Sequence, residues 1–338
     1  MGPTAMRRPV MIVVWLALTA AGVMLSPLLL LAGAVASAVI GRRQPLLLVE
    51  FGLSYLVRES AVILACGGLW LGSGFGLRLR SERFTAAHYR LLGWLLGGLV
   101  RQARATLRID IDLDDRGEAG RALRDRRPLL LFSRHAGPGD SLLIVDLLLN
   151  CFGRRPRIVM KEILGLDPCV DLICHRLPNA LLDTDDRERC AAEIGELASG
   201  LDRDGVLLLF PEGGNFTPER RRTAIQRLWR EARGRQASRA EELEHVMAPR
   251  PLGALAALQA NPGADVIFSA HTGLGHQAFA SELWRQLPTG RTLQMRMWLA
   301  PAADRPTDSQ GQMDWLYGWW ERIDEWIAQQ GSERAAVG

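Results

Sequence analysis

The sequence predicts an α/β fold with a mostly parallel central sheet flanked by helices, preceded by N-terminal membrane helices. Two observations predict it. From residue 128 onward, short unbroken apolar runs alternate with helical segments, which is typical of buried parallel strands joined by helices. Near the N-terminus, no charged residue occurs between Val10 and Ile40, a run long enough for membrane helices. With 338 residues, 48% of them hydrophobic, the chain can bury a large core.

The N-terminal apolar run is too long for one straight span. As a single helix it would measure roughly 46 Å, against about 30 Å of hydrocarbon core. Either the helix tilts, or it breaks at Ser26 and Pro27 into two half-helices that form a hairpin. Arginines flank the run on both sides, which suits a hairpin that returns to the cytoplasmic face. These are Arg7, Arg8, Arg42 and Arg43.

Two other features of the N-terminal region bear on the membrane. A cleaved signal peptide with Ala36-Ser37-Ala38 as its site is an alternative interpretation, but the run is about twice as long as the usual apolar region of a signal peptide. A second apolar region, 45–76, is interrupted by Glu50, Arg58 and Glu59. We expect this second region to lie in the interface or against the first helices rather than to span independently.

Residues 83–338 are predicted to form a catalytic α/β domain, which follows membrane-anchoring helices over 1–82. An amphipathic helix over 83–105 connects the two parts. Over 106–113 apolar and charged residues alternate, which predicts a half-buried strand. Further strands are expected over 128–132, 157–160, 205–210 and 264–270, an edge strand over 291–299, and helices over 141–150, 186–200 and 251–259.

Two polar or amphipathic segments complete the domain. Residues 218–245 are rich in arginine and glutamate and predict a solvated helical excursion. Near the C-terminus, Trp315, Trp319 and Trp326 recur at helical spacing, with Trp320 off that stripe. This C-terminal amphipathic helix is expected either to rest at a membrane interface or to close the core.

Composition excludes some classes of function. The net charge is only +4, and 41 basic residues are scattered among 37 acidic ones, so nucleic acid is not an expected partner. The five cysteines show no paired C-x-x-C spacing for zinc or redox chemistry. The remaining histidines also lack metal-ligand spacing, and we expect no metal and no cofactor.

His135 and Asp140 are the first candidate catalytic pair. The stretch SRHAGPGDSLL, residues 133–143, follows a buried strand, and its glycines and proline force a loop between the two side chains. A histidine there can take a proton from a hydroxyl, and a carboxylate on its other nitrogen fixes the tautomer. The alternative is structural: an aspartate before Ser141 is a good helix N-cap, and a lone histidine can simply pack.

The second candidate feature is LLLFPEGGNFTPER, residues 207–220, where a buried strand runs into a turn. Gly213 and Gly214 allow backbone amides to approach a phosphate or hydroxyl closely. Glu212 can accept hydrogen bonds from a polyol head. Most strings of this kind are only turns, so the feature gains weight from its combination with the first.

Together these features resemble the glycerolipid acyltransferase family, which includes the 1-acylglycerol-3-phosphate acyltransferases and their lysocardiolipin-type relatives. The H-x-x-x-x-D block is met by His135 and Asp140, and the phenylalanine-proline-glutamate-glycine block by residues 210–213. VMKEILGLDP is similar to a third block and contains Lys161; Val246-Met247-Ala248-Pro249 is similar to a fourth. The likeness covers roughly residues 85–300.

The resemblance implies an O-acyltransferase at the inner (cytoplasmic) membrane, with its catalytic domain facing the cytosol. His135 would be the general base and Asp140 would orient it, while a lysolipid hydroxyl attacks the thioester of acyl-CoA or acyl carrier protein. The glycerol or phosphate of a lysophospholipid such as 1-acylglycerol-3-phosphate would be held by Lys161, Glu212, Gly213 and Gly214. Pro249 would belong to the acyl or CoA side.

Two departures from the family pattern concern the acceptor. Gly214 and Asn215 stand where the family usually has threonine and a phosphate-binding arginine, and Arg134 stands where asparagine is common. Several arginines are candidates to compensate: Arg157, Arg220, Arg221, Arg222 and Arg250. The alternatives are an acyltransferase for a non-phosphate glycolipid or polyol, a non-catalytic lipid-binding membrane protein, and a hydrolase, although no G-x-S-x-G elbow is present.

Overall fold

The computed structural model describes residues 4–137, 139–182, 186–272, 290 and 292–337. They form two compact units. In the described residues, the first unit comprises 4–109, 160–182 and 290, and the second comprises 110–159, 186–272 and 292–337. The predicted functional boundary at residue 82, between anchor and catalytic domain, stays a prediction.

The described chain contains both helices and strands, numbered here in chain order. The helices are α1 Thr4–Met24, α2 Ser26–Ile40, α3 Gln44–Gly72, α4 Glu82–Leu107, α5 Glu118–Arg124, α6 Asp140–Asp146, α7 Pro168–Arg176, α8 Arg187–Ser199, α9 Pro218–Arg230, α10 Gly234–Glu242, α11 Pro251–Ala260 and α12 Ser309–Val337. The strands are β1 Asp110–Asp114, β2 Leu129–Ser133, β3 Arg155–Lys161, β4 Ala180–Leu182, β5 Gly205–Leu209, β6 Asp265–Thr272 and β7 Thr292–Ala300. Short 3-10 turns cover Glu162–Leu166 and Ala302–Asp304, and a π-helical turn covers Leu147–Cys151.

Of the two alternatives for the N-terminal apolar run, the structure shows the break. Helix α1 ends at Met24 and α2 begins at Ser26, with Pro27 in its first turn, where the missing N–H costs nothing. Within α1, the window Arg7–Met24 is long and apolar enough to cross a membrane. Helix α2 is apolar but shorter than a full span.

Helix α3 packs against both preceding helices, as expected for the second apolar region. Gly33 of α2 allows the close approach, because a Cβ there would lie 3.1 Å from the Cα of Leu46. On the α1 side, the hydroxyls of Thr19 and Ser60 lie 2.8 Å apart. The start of α1 is held to α7 by Asp171, whose buried carboxylate lies 3.3 Å from Arg7 and 2.5 Å from Arg8.

Among the described residues, the central sheet has seven strands in the order β1-β7-β6-β2-β5-β3-β4 and is flanked by helices, so the predicted fold class is confirmed. Strand β2 lies between β5 and β6 and is parallel to both. All five of its residues are buried, which explains the unbroken apolar run from Leu129 to Phe132. The pairing of β6 with β7 is antiparallel, and β7 is parallel to β1.

Two predictions about the strands were wrong. The strand expected over 106–113 is shorter, because α4 continues to Leu107 and the left-handed backbone of Arg108 (φ 51°) ends the helix before β1 begins at Asp110. Strand β7 is not at the edge, because β1 pairs with its outer side. The short strand β4 has no counterpart among the predictions.

The C-terminal helix α12 closes the core of the second unit. Trp320, the tryptophan off the predicted stripe, is fully buried, as are Tyr317 and Ile323. Trp319 stacks on Phe268 of β6 with ring centroids 4.5 Å apart and planes inclined by 11°. Of the two expectations for this helix, the structure favours closure of the core.

Candidate active site

Three neighbouring parallel strands end at the same edge of the sheet, the place where open α/β folds bind ligands. The loop after β2 contains His135, and the turn after β5 contains Glu212. His271 is the penultimate residue of β6. Ser133 is paired with Ser269, and the N–H of Arg134 donates to the carbonyl of Ser269 at 3.0 Å. Ser133 and Ser269 are the last residues that pair β2 with β6, and His135 and His271 each lie two residues beyond them.

His135 and Asp140 lie together, as their spacing in the sequence predicts. Nδ1 of His135 is 3.5 Å from Oδ2 of Asp140, and the His135 side chain is 19% exposed while that of Asp140 is 4% exposed. The ring of Phe210 lies 4.4 Å from the imidazole, centroid to centroid, and covers one face of it. The arrangement leaves the imidazole reachable from outside while its supporting carboxylate is enclosed.

The Asp140 carboxylate turns back onto the loop before it. Oδ2 accepts hydrogen bonds of 2.6 Å from the backbone N–H groups of Ala136 and Gly137, while Gly139, not Asp140, is the residue that flanks helix α6. Oδ1 lies 3.1 Å from Nε2 of His271. Burial alone would raise the pKa of Asp140, but the interactions with His271, His135 and the N–H of Gly137 outweigh it and hold the pKa below its usual range. Asp140 is therefore kept as an anion.

Glu212 is buried behind His135 and braces the loop. Oε1 accepts the backbone N–H of His135 at 3.1 Å, and Oε2 accepts that of Met247 at 3.2 Å. Burial raises the pKa of Glu212 to about 8, against the opposing effect of the Arg134 guanidinium. Both carboxyl oxygens thus contact protein backbone, and a contact between Glu212 and the acceptor stays a prediction.

Arg134 is a buried cation beneath this site. Nη1 donates to the carbonyl of His271 at 2.6 Å and Nη2 donates to the carbonyl of His245 at 3.0 Å. Burial lowers the pKa of Arg134, opposed by the charges of Glu212, Asp140 and Asp324. One guanidinium thereby joins the end of β6 to the segment that precedes Pro249.

That segment is also held from the C-terminal helix. The carboxylate of Asp324 accepts three backbone N–H groups, from Glu244 at 3.1 Å, His245 at 2.6 Å and Val246 at 3.0 Å. A run of consecutive amides around one carboxylate is a favourable anion-binding geometry. Asp324 therefore fixes the backbone that leads to Met247 and Pro249.

Residues 118–249 match the family model described as Acyltransferase. This part of the chain is similar to that family, which supports a general acyl-transfer role. No curated protein and no solved structure gives a match. The matched range includes His135, Asp140, Lys161 and the residues of the Glu212 turn, while His271 and Asp324 lie beyond it.

Within the matched range, the turn after Glu212 requires glycine at one position. Gly213 has φ +72°, and a Cβ there would lie 3.0 Å from both Cδ and Nε of Arg250. The backbone N–H of Arg250 donates to the carbonyl of Pro211 at 2.7 Å, which fixes Arg250 beside the turn. The Arg250 guanidinium therefore lies directly over Gly213.

The arginines proposed to compensate for the missing family arginine differ in whether their guanidinium groups already have hydrogen-bond or ion-pair partners. Arg157 donates to the backbone carbonyls of Leu197 and Gly200. Arg221 donates to those of Leu243 and Glu241. Arg220 donates to the carbonyl of Asn215, and Arg222 pairs with Glu219 at 3.3 Å. The Arg250 guanidinium makes no hydrogen bond or ion pair to the described residues. Its pKa is lowered by burial and by the neighbouring charges of Arg227 and Arg187, so an anion is the ligand this environment favours.

Not every predicted site residue belongs to the same unit. Lys161 is exposed at the end of β3 and belongs to the first unit, whereas His135, Asp140, Gly214, Pro249 and Arg250 belong to the second. Among the described residues no group of His, Cys, Asp and Glu has the arrangement of a metal site.

Two residues of the site stand outside the sequence motifs. His271 lies in an apolar strand, and a histidine at the carboxyl end of a buried strand is a usable signal for a pocket residue. Asp324 lies within an amphipathic helix, where an acidic residue is ordinary. Nothing local in the sequence distinguishes it.

Proposed function

We propose that the acyltransferase domain transfers a fatty acyl chain from acyl-CoA, or from acyl carrier protein, to the hydroxyl of a lysophospholipid such as 1-acylglycerol-3-phosphate. The observation that carries the proposal is the partly exposed imidazole of His135, whose Nδ1 faces the buried carboxylate of Asp140 at 3.5 Å. Because Nδ1 faces Asp140, Nε2 is the nitrogen left for a substrate. A protein that only bound lipid would have no use for this pairing.

The reaction follows from that geometry. Nε2 of His135 accepts the proton of the acceptor hydroxyl while the hydroxyl oxygen attacks the thioester carbonyl carbon. The C–O bond forms, the C–S bond breaks, and the thiolate leaves with the proton that the imidazolium returns. Asp140, held as an anion, stabilises the imidazolium and fixes the tautomer. General-base assistance of this kind is worth about 10²- to 10⁴-fold in rate.

A phosphate on the acceptor would be bound beside Gly213. Arg250 lies over this turn with its guanidinium uncommitted among the described residues, which supports it as the replacement for the arginine that the family usually places after the glycine. Gly214, in the same turn, leaves room for the acceptor, and Lys161 is the further cation that the family resemblance suggests. Pro249 would lie on the acyl or CoA side.

The proposal includes attachment to the inner membrane, with the catalytic domain toward the cytosol. The apolar helix α1, with a window of spanning length from Arg7 to Met24, supports attachment. Arginines at both ends of the apolar run support a cytosolic orientation of those ends. Both the acceptor and the product of the reaction would reside in the bilayer.

The test is thiol release by purified full-length protein in detergent. Palmitoyl-CoA is offered with 1-oleoylglycerol-3-phosphate or with monooleoylglycerol, which lacks the phosphate. We expect release that depends on the phosphate-bearing acceptor and that falls by about 10²-fold or more in His135→Ala. Arg250→Ala should raise KM for the phosphate acceptor, whereas Arg222→Ala, an exposed arginine paired with Glu219, should leave it unchanged.

Each other outcome assigns a different function. Equal use of monooleoylglycerol, insensitive to Arg250→Ala, would indicate a non-phosphate acceptor. Thiol release without any acceptor would indicate a hydrolase. Binding of lipid without thiol release, either from palmitoyl-CoA or from palmitoyl acyl carrier protein offered in its place, would refute acyl transfer by this protein.

A further inference from the structure

Asp140 contacts a second histidine that the H-x-x-x-x-D pattern does not contain. Nε2 of His271 lies 3.1 Å from Oδ1 of Asp140, on the opposite carboxylate oxygen from His135. His271 is 2% exposed, and its Nε2 makes no aligned hydrogen bond to any described residue. The carboxylate oxygen of Asp140 is thus the polar atom that this buried nitrogen faces.

The backbone of His271 is fixed by the sheet. His271 is the penultimate residue of β6 and pairs with Met295 of β7, whereas the pairing of β6 with β2 ends at Ser269. The carbonyl of His271 accepts the 2.6 Å hydrogen bond from the buried Arg134. A residue held by its strand pairing with Met295 and through its own carbonyl has little freedom to leave the carboxylate.

We propose that His271 is a positioning residue for acyl transfer, which acts through Asp140 to hold the carboxylate against His135. This inference rests on the proposed function, with His135 as the base. A buried carboxylate is costly unless its oxygens are matched by donors or cations. Oδ2 is matched by the N–H groups of Ala136 and Gly137, and the imidazole of His271, with Nε2 at 3.1 Å, is the polar group that faces Oδ1. The nearby ionisable groups are Arg134, Glu212 and His135.

Two substitutions separate positioning from packing. In His271→Gln the amide nitrogen can occupy the place of Nε2 and still donate, whereas His271→Leu fills the space without a donor. We expect kcat to fall about 10- to 100-fold in His271→Leu, the usual value of a hydrogen bond to a charged group, and to recover in His271→Gln. KM for both substrates should stay within about twofold, because His271 does not touch them.

A double-mutant cycle tests whether His271 acts through Asp140. In an Asp140→Asn background, His271→Leu should cause little further loss of kcat, since the carboxylate it supports is gone. The matched control is His175→Leu: His175 is a half-exposed histidine that lies 3.5 Å from a different carboxylate, Asp171, and its loss should leave kcat unchanged. Losses that multiply in the double variant, or a His271→Gln variant as impaired as His271→Leu, would overturn the proposal.

A measurement independent of turnover keeps the two proposals apart. In protein labelled with ¹⁵N-histidine, the six imidazoles are few enough to assign by substitution. The ring ¹⁵N signals of His135 should move in the same direction in His271→Leu as in Asp140→Asn and return in His271→Gln. If the wild type transfers no acyl group, this arm still decides the role of His271. A His135 signal that shifts in Asp140→Asn and not in His271→Leu would refute that role, whatever the activity.

Discussion

Replacing Gly213 with alanine tests the acceptor turn most directly. At φ +72° an L-residue is in the left-handed region, which costs about 1–2 kcal/mol relative to glycine. The new methyl group would also meet Arg250, with Cδ and Nε at 3.0 Å and Cζ at 3.1 Å. Because these atoms belong to a flexible side chain, we expect Arg250 to shift and not the backbone. The predicted result is a loss of about 1–2 kcal/mol in the free energy of unfolding, together with a raised KM for the phosphate-bearing acceptor.

Gly214→Ala is the matched control for this prediction. Gly214 does not have a positive φ, and a Cβ there would lie 3.7 Å from Nη1 of Arg220, an ordinary contact. Denaturant unfolding of the full-length protein in detergent, followed by tryptophan fluorescence, gives the free energy of unfolding for both variants. Thiol release gives KM for the acceptor. If the two alanine variants are equally stable, or if Gly213→Ala leaves KM unchanged, then the turn does not depend on Gly213 and Arg250 as argued.

Two further predictions concern the buried carboxyl groups. Asp324→Asn should lower the unfolding midpoint more than Glu325→Gln, a control on the exposed side of the same helix. The asparagine amide offers only one acceptor oxygen to the N–H groups of residues 244–246, and each hydrogen bond to the carboxylate is worth about 1.5–3 kcal/mol. Equal unfolding midpoints for the two variants would contradict this prediction. Because burial raises the pKa of Glu212 from 4.5 to about 8, the folded protein retains a proton that the unfolded chain has released between these pH values, so Glu212 should make stability fall as pH rises through this range. Glu212→Gln should flatten that part of the pH profile of the unfolding midpoint, and an unchanged slope would show that Glu212 is ionised in the folded state.

Local signals explain why much of the fold could be predicted. The fully buried strands β2 and β5 are continuous apolar runs, and the proline at residue 27 acts on the helix immediately before it. The errors occurred where local signals conflict. Leu107 and Ile109 alternate with charged residues, yet Leu107 is the last residue of helix α4. The position of β7 inside the sheet depends on its pairing with β1 and β6, which no local pattern encodes.

The residues of the candidate site likewise differ in how far they can be predicted from local sequence. His135 and Asp140 are five residues apart in a loop that brings them together, so their pairing is nearly a local property. His271 is far along the chain and reaches Asp140 only because β6 lies beside β2. Only the strand order supplies this information.

The contacts of Arg134 explain why this chain has an arginine where the family commonly has asparagine. A buried guanidinium must find acceptors in several directions, and Arg134 finds them in the carbonyls of His271 and His245. The first of these residues faces Asp140, and the backbone N–H of the second is held by Asp324 of the C-terminal helix. The residue before His135 thus links the end of β6, where His271 faces Asp140, to a segment that is held by a helix beyond the matched range of the acyltransferase model. The C-terminal helix therefore fixes the backbone that Arg134 contacts, in addition to closing the core.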